Sequence, residues 1–220
     1  MPELFLGGGG SEIDSSLLDA FFAKKVKQKG GRVLYIPEAL RGDRDFAECL
    51  EWFRGVFDKF GLKIKMLNSL VGLSQKGLSE YDAIYIGGGN TYYLLSEMKK
   101  TGADAAISGF AASGGLIYGG SAGAIILGED ISTSPDHNKD SSDFSGLSLL
   151  KGFAVWPHYT SSDEPAIAKY LMMHKLKVLA LPERSGAYIR DGNLLVLGFE
   201  DSFIFGHDKK SLAPKGEFKL

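Results

Sequence analysis

Ser121 lies in Gly119-Gly120-Ser121-Ala122-Gly123, preceded by the apolar run Leu116-Ile117-Tyr118 and followed by Ala124-Ile125-Ile126. A buried strand turning abruptly into a helix lifts such a serine hydroxyl clear of a sheet, and the flanking glycines remove side chains that would collide at the bend. This is the setting of a nucleophile elbow, whose helix aims free backbone N–H groups at whatever the serine attacks. The Gly-x-Ser-x-Gly letters alone are weak in a chain with 29 glycines. The apolar strand before them and the small-residue helix after them are what favour a nucleophile.

A serine hydroxyl needs a base, and histidine has a suitable pKa. Of the four histidines, His174 falls near a helix end, His207 in the polar C-terminal tail and His137 in an irregular segment. His158 follows a strand in Trp156-Pro157-His158-Tyr159, at the strand edge where ligands of open α/β sheets bind. It is the expected base. The imidazole in turn needs an acid to hold its tautomer. Two carboxylates compete: Glu183 in Leu181-Pro182-Glu183-Arg184, at another strand's C-terminal edge, and Asp136 in Ser134-Pro135-Asp136-His137. The plainer reading of each is a solvated loop carboxylate or, for Glu183, a local pair with Arg184.

The oxyanion formed by attack on a carbonyl needs backbone donors. One is expected from the N–H of Ala122. The other is expected from Gly87-Gly88-Gly89-Asn90-Thr91, where consecutive glycines let main-chain N–H groups approach a substrate. Gly88, Asn90 and Thr91 are candidate substrate contacts there, with Asn90 also suited to cap a helix. The N-terminal run Gly7-Gly8-Gly9-Gly10 invites a nucleotide reading, but Glu12 and Ile13 stand where a Gly-x-Gly-x-x-Gly fingerprint needs glycine. No ligand spacing suggests a metal, and the chemistry requires no cofactor.

These groups must be carried by a regular scaffold. Short apolar runs at 3–6, 32–36, 62–67, 83–86, 116–118, 153–156 and 177–181 alternate with helical patterns at 15–29, 44–60, 92–100 and 163–174. That alternation predicts an α/β fold, a mostly parallel sheet in a three-layer sandwich. Runs at 194–197 and 202–205 read as an antiparallel hairpin closing the C-terminal end. Phe46, Leu50, Phe53, Phe57 and Phe60 form one apolar helix face, as core rather than a cofactor box. The irregular stretch 129–150 follows the elbow helix, where it could fold over the site.

At 220 residues, 44% hydrophobic and 24% charged, the chain suits a single domain over 1–220. A net charge of −2 and a pI near 6.1 argue against nucleic acid or an acidic membrane as partner. Lys24, Lys25, Lys27 and Lys29 read as a solvated helix face. Cys49, the only cysteine, excludes an internal disulfide and reads as a buried small hydrophobe. No signal peptide or membrane span is recognisable, so the cytoplasm is the expected location.

Taken in order, Gly87-Gly88-Gly89-Asn90-Thr91, Gly119-Gly120-Ser121-Ala122-Gly123-Ala124, Pro157-His158 and Leu181-Pro182-Glu183 resemble the motifs of the dipeptidase E (aspartyl dipeptidase) family of serine peptidases, which also contains the cyanophycinases. The resemblance implies a fold like class I glutamine amidotransferases, with serine in place of their cysteine. It implies Ser121 as nucleophile, His158 as base, Gly89 and Ala122 as oxyanion donors, and either Asp136 or Glu183 as third member. Glu183 ranks first, since a carboxylate at a strand edge is better fixed than one in a loop. A small peptide is the implied partner, and a homo-oligomer is compatible with these features. The family's dipeptidases prefer an N-terminal aspartate, read partly by basic groups beyond the histidine. Here the stretch 159–170 holds Lys169 as its only basic residue. A cyanophycinase-like or isoaspartyl hydrolase, and a silent ligand-binding relative, are the alternatives.

Overall fold

Alternation along four central strands explains the middle layer. Leu4, Leu6, Leu34, Ile36, Ile84, Ile86 and Ile117 belong to one core, and Phe5, Val33, Tyr35, Ala83, Tyr85, Leu116 and Tyr118 to another. Strands buried on both faces must be covered twice, which is the condition for a parallel sheet between two layers. The computed structural model describes residues 2–136 and 143–220.

In chain order the first half holds β1 (Glu3–Gly7), α1 (Ser16–Lys29), β2 (Arg32–Ile36), α2 (Phe46–Phe57), β3 (Lys63–Met66), α3 (Gln75–Leu78), β4 (Ala83–Ile86) and α4 (Thr91–Thr101). Next come α5 (Ala103–Ala112), β5 (Leu116–Gly120), α6 (Ala122–Leu127), β6 (Phe153–Pro157), α7 (Glu164–Met173) and β7 (Lys177–Leu181). The chain ends with β8 (Gly186–Arg190), β9 (Asn193–Val196), β10 (Ser202–Phe205), β11 (Lys209–Leu212) and β12 (Glu217–Lys219). An eight-stranded sheet runs β12-β9-β8-β1-β5-β4-β2-β3, parallel from β1 to β3 and antiparallel beyond it. Helices α1 and α2 cover one face with Leu18, Phe22, Val26, Phe53 and Phe57. Helices α4, α5 and α6 cover the other, together with a second sheet of order β11-β10-β7-β6. Among the described residues no helix is long and apolar enough to cross a membrane.

Every predicted strand is present, with ends within two residues of expectation. Two expectations are corrected. The segments 194–197 and 202–205 do not form a hairpin: β9 pairs with β8 and β12, whereas β10 pairs with β7 and β11. The connection between them stays bonded to the β7–β8 link, Leu197 N–H donating to Gly186 O (2.8 Å) and Phe199 N–H to Arg184 O (2.7 Å). This hands the chain from one sheet to the other. Likewise β6 and β7 do not extend the large sheet but pair in parallel within the small one.

The topology gathers strand ends at one rim. Neighbours β1, β5 and β4 all finish in glycine turns, in register through Gly7 opposite Gly120 and Ile86 opposite Gly119. In the second sheet Pro157 lies opposite Leu181, so the residues after β6 and β7 leave side by side.

One buried carboxyl sits beneath this rim. Asp19 on α1 accepts hydrogen bonds from Ser15 Oγ (2.7 Å) and Tyr118 OH (2.9 Å). Burial pushes its pKa from an ordinary 3.8 up to about 6. Between those values the folded chain holds a proton that the unfolded chain has released, so stability falls as pH rises through this window and levels off above it. The loss attributable to Asp19 is about 2–3 kcal/mol between pH 4 and pH 7. Urea unfolding of wild type and Asp19→Asn at both pH values checks this: the stability difference should move toward the variant by that amount as pH rises.

Candidate active site

Ser121 links β5 to α6 with φ 49° and ψ −110°. Such a backbone costs a non-glycine residue about 1–3 kcal/mol and persists only where its surroundings enforce it. Here the Ser121 N–H donates to Gly7 O (3.3 Å), and its own carbonyl accepts from Ala124 N–H (2.8 Å) and Ile125 N–H (3.0 Å). The bend also demands the flanking glycines. A Cβ on Gly119 would fall 2.4 Å from Gly123 O, and one on Gly123 would fall 2.2 Å from Ile86 O.

His158 and Glu183 arrive from the second sheet, at the ends of β6 and β7. Ser121 Oγ lies 2.8 Å from His158 Nε2, and His158 Nδ1 lies 2.9 Å from Glu183 Oε1. With Nδ1 protonated, the serine hydroxyl donates to Nε2 while Nδ1–H donates to the carboxylate, so all three groups are satisfied together. Arg184 does not compete for Glu183; its guanidinium faces Asp14 (3.4 Å) and Glu200 (3.6 Å).

The turn after β4 lies against the serine, since a Cβ on Gly88 would sit 3.3 Å from Ser121 Cβ. Among the described residues the N–H groups of Gly88 and Gly89 carry no backbone hydrogen bond. Ala122 opens α6, so its N–H has no partner within the helix. Gly88 and Gly89 each line one of the cavities that Ser121 also lines, and Ala122 follows it directly. The other candidates in this turn are already engaged. Asn90 Oδ1 caps α4 by accepting from Tyr93 N–H (2.8 Å), and Thr91 N–H donates to Asp136 Oδ2 (2.9 Å). Ser134 Oγ lies 3.0 Å from both Asp136 Oδ2 and Thr91 Oγ1. Asp136 thus ties the segment after α6 to the start of α4. Among the described residues it makes no hydrogen bond to His158.

Ser121 borders two cavities. The larger, about 430 Å³, is lined by Thr91, Ser132, Thr133, Asp136, Trp156 and His158, among others. The smaller, about 310 Å³, is walled by Tyr35, Tyr85, Tyr118 and Trp52, with Arg44 contributed by the loop before α2 and Glu48 by its first turn. Burial pushes the Tyr85 and Tyr118 hydroxyls well above the ordinary tyrosine range, so they remain neutral.

Arg44 was not anticipated from the sequence, where its helix reads as core. No pattern in the sequence singles it out, because it lies in the loop before α2, outside the helical periodicity. Lys169, the basic residue the sequence offered, is exposed and lines neither cavity. His174 stacks on Tyr170 (centroids 4.3 Å apart) and His207 is solvated beside Asp208. His137 lies outside the described residues.

Known proteins resemble this chain in sequence and in fold. "Uncharacterized peptidase Lin0382" of Listeria innocua is 32% identical over 207 residues, covering 89% of this chain and 96% of its own. "Peptidase E" of Streptomyces coelicolor is 30% identical over 200 residues, covering 84% and 78%. The crystal structure of a peptidase from an acI-B1 Actinobacterium superposes with a TM-score of 0.82 over 100% of this chain and 97% of that one; at 19% identity it speaks for the fold. The sequence profile described as Peptidase family S51 matches residues 4–197, from β1 through β9 and across the whole rim that carries Ser121, His158 and Glu183. The chain belongs to peptidase family S51.

Proposed function

We propose that this chain is a serine peptidase that hydrolyses short peptides, dipeptides with an N-terminal aspartate foremost, through an acyl-enzyme on Ser121. The observation that carries the reading is the unbroken relay from the Ser121 hydroxyl through the His158 imidazole to the Glu183 carboxylate. His158 Nε2 takes the hydroxyl proton as Ser121 Oγ attacks the scissile carbonyl carbon. Glu183 holds the Nδ1–H bond throughout and stabilises the imidazolium. Negative charge on the carbonyl oxygen develops against the N–H groups of Gly89 and Ala122. The imidazolium then protonates the leaving amine and the C–N bond breaks. Water follows the reverse course: it gives a proton to His158 and its oxygen to the acyl carbon, and Ser121 is restored.

Asp136 acts as a support in this reading. Its bond to Thr91 N–H holds the start of α4 and with it the turn that carries Gly89. Cavities of about 430 and 310 Å³ flanking one hydroxyl suit a side chain on either side of the scissile bond. Arg44 supports the aspartyl preference. It lines the smaller cavity among aromatic rings and makes no ion pair among the described residues, leaving its guanidinium for a substrate carboxylate.

Turnover of Asp-Leu, Ala-Leu and β-Asp-Leu by purified variants tests these roles. Ser121→Ala should lose at least ~10³-fold in kcat, and undiminished turnover would overturn the mechanism. Glu183→Gln should lower kcat by about 10²–10⁴ with little change in KM, whereas Asp136→Asn should cost less than about tenfold. Arg44→Ala should raise KM for Asp-Leu about tenfold and leave Ala-Leu unchanged. Faster cleavage of β-Asp-Leu than of Asp-Leu would reassign the substrate to isoaspartyl bonds.

A further inference from the structure

The four glycines at residues 7–10 match no phosphate-binding fingerprint, yet the turn they form touches every member of the relay. Gly7 O accepts the Ser121 N–H at 3.3 Å, and Gly8 O accepts the His158 N–H at 2.7 Å. Gly8 N–H is itself occupied, donating to Ser185 O at 3.0 Å. Gly9 lies against the imidazole: a Cβ there would fall 2.3 Å from both Cε1 and Nε2 of His158. Gly10 packs on the third member, where a Cβ would fall 2.6 Å from Glu183 O. The turn is anchored as well. Asp14 Oδ2 accepts from Ser11 N–H (3.0 Å) and Ser11 Oγ (2.7 Å), and Asp14 Oδ1 faces Arg184 Nε (3.4 Å), next to Glu183.

We propose that Gly7, Gly8, Gly9 and Gly10 are positioning residues for the relay, with Gly9 setting the plane of the His158 ring. The inference rests on the reading of Ser121, His158 and Glu183 as the reacting groups. During turnover Nε2 exchanges its partner among the serine, the leaving amine and water, so no hydrogen bond at that nitrogen can hold the ring throughout. The one remaining bond, from Nδ1 to Glu183, leaves the ring free to swivel about it. A contact at the ring itself persists through every step. Only glycine can make it this closely, at a φ of +97° that other residues rarely adopt.

The test compares Gly9→Ala with Gly31→Ala, in wild type and in a His158→Ala background. Gly31 has a similar φ of +84° but no atom within 4 Å of an added Cβ, so it reports backbone strain alone. Gly9→Ala should lower kcat by about 10²-fold with KM within about threefold of wild type, and Gly31→Ala should leave both unchanged. Gly9→Ala should also lower the melting temperature more than Gly31→Ala does. In the His158→Ala background that excess should vanish, because the ring it collides with is gone. If Gly9→Ala alone is insoluble, recovery of folded protein in Gly9→Ala/His158→Ala carries the same support. An unchanged kcat in Gly9→Ala, or an equal stability loss in both backgrounds, overturns the proposal. Failure of a fluorophosphonate probe to label wild type would instead sink the underlying reading of Ser121, leaving the melting comparison to report the ring contact by itself.

Discussion

The candidate rim depends above all on the strained backbone of Ser121, one of its two non-glycine residues at positive φ, the other being His158. Ser121 holds a backbone conformation that a free chain rarely adopts, and it does so because β5 is locked between β1 and β4 while α6 is pressed against the ends of both. Glycine at 119 and 123 lets backbone meet backbone there. Were either side chain larger, α6 would move outward, and the Ala122 N–H and the serine hydroxyl would move with it. The conformational cost at Ser121 is offset by packing in the two cores on either side of the sheet, so the site and the core are parts of one energetic arrangement.

The second constraint is the meeting of two sheets. The large sheet supplies the hydroxyl and the backbone donors, and the small sheet supplies the imidazole and the carboxylate. Parallel pairing of β6 with β7 places His158 and Glu183 side by side, because Pro157 and Leu181 are in register. The N-terminal glycine turn joins the halves, bonded to Ser121 on one side and to His158 on the other. Relative displacement of the sheets would therefore be felt first at the 2.8 Å contact between serine and histidine.

Much of this was legible in the residues. Ser121 announced itself through its glycines and the strand before them. His158 and Glu183 did so through proline-marked exits from apolar runs. Glu183 ranked ahead of Asp136 only by its place at a strand edge; that Asp136 spends its carboxylate on Thr91 N–H, a partner 45 positions away, was not readable from the residues. The division into two sheets was hidden for a related reason: Phe153-Ala154-Val155 and Val178-Leu179-Ala180 carry the same apolar signal as strands of the large sheet. Which sheet a strand joins is decided by partners, not by its own pattern. Arg44 escaped notice because it lies in the loop before α2, where helical periodicity says nothing of which cavity a side chain lines.

The margins of the two sheets carry a separate consequence. Lys63 and Lys65 stand exposed on β3, Lys209 and Lys210 on β11, and Glu217 and Lys219 on β12. An unpaired strand edge attracts any extended polypeptide, and charged side chains along it oppose such annealing and the aggregation that follows. For a protein whose ligands are themselves pieces of extended chain, these lysines do more than keep neighbouring molecules apart. They also disfavour annealing of a substrate peptide along β3, β11 and β12.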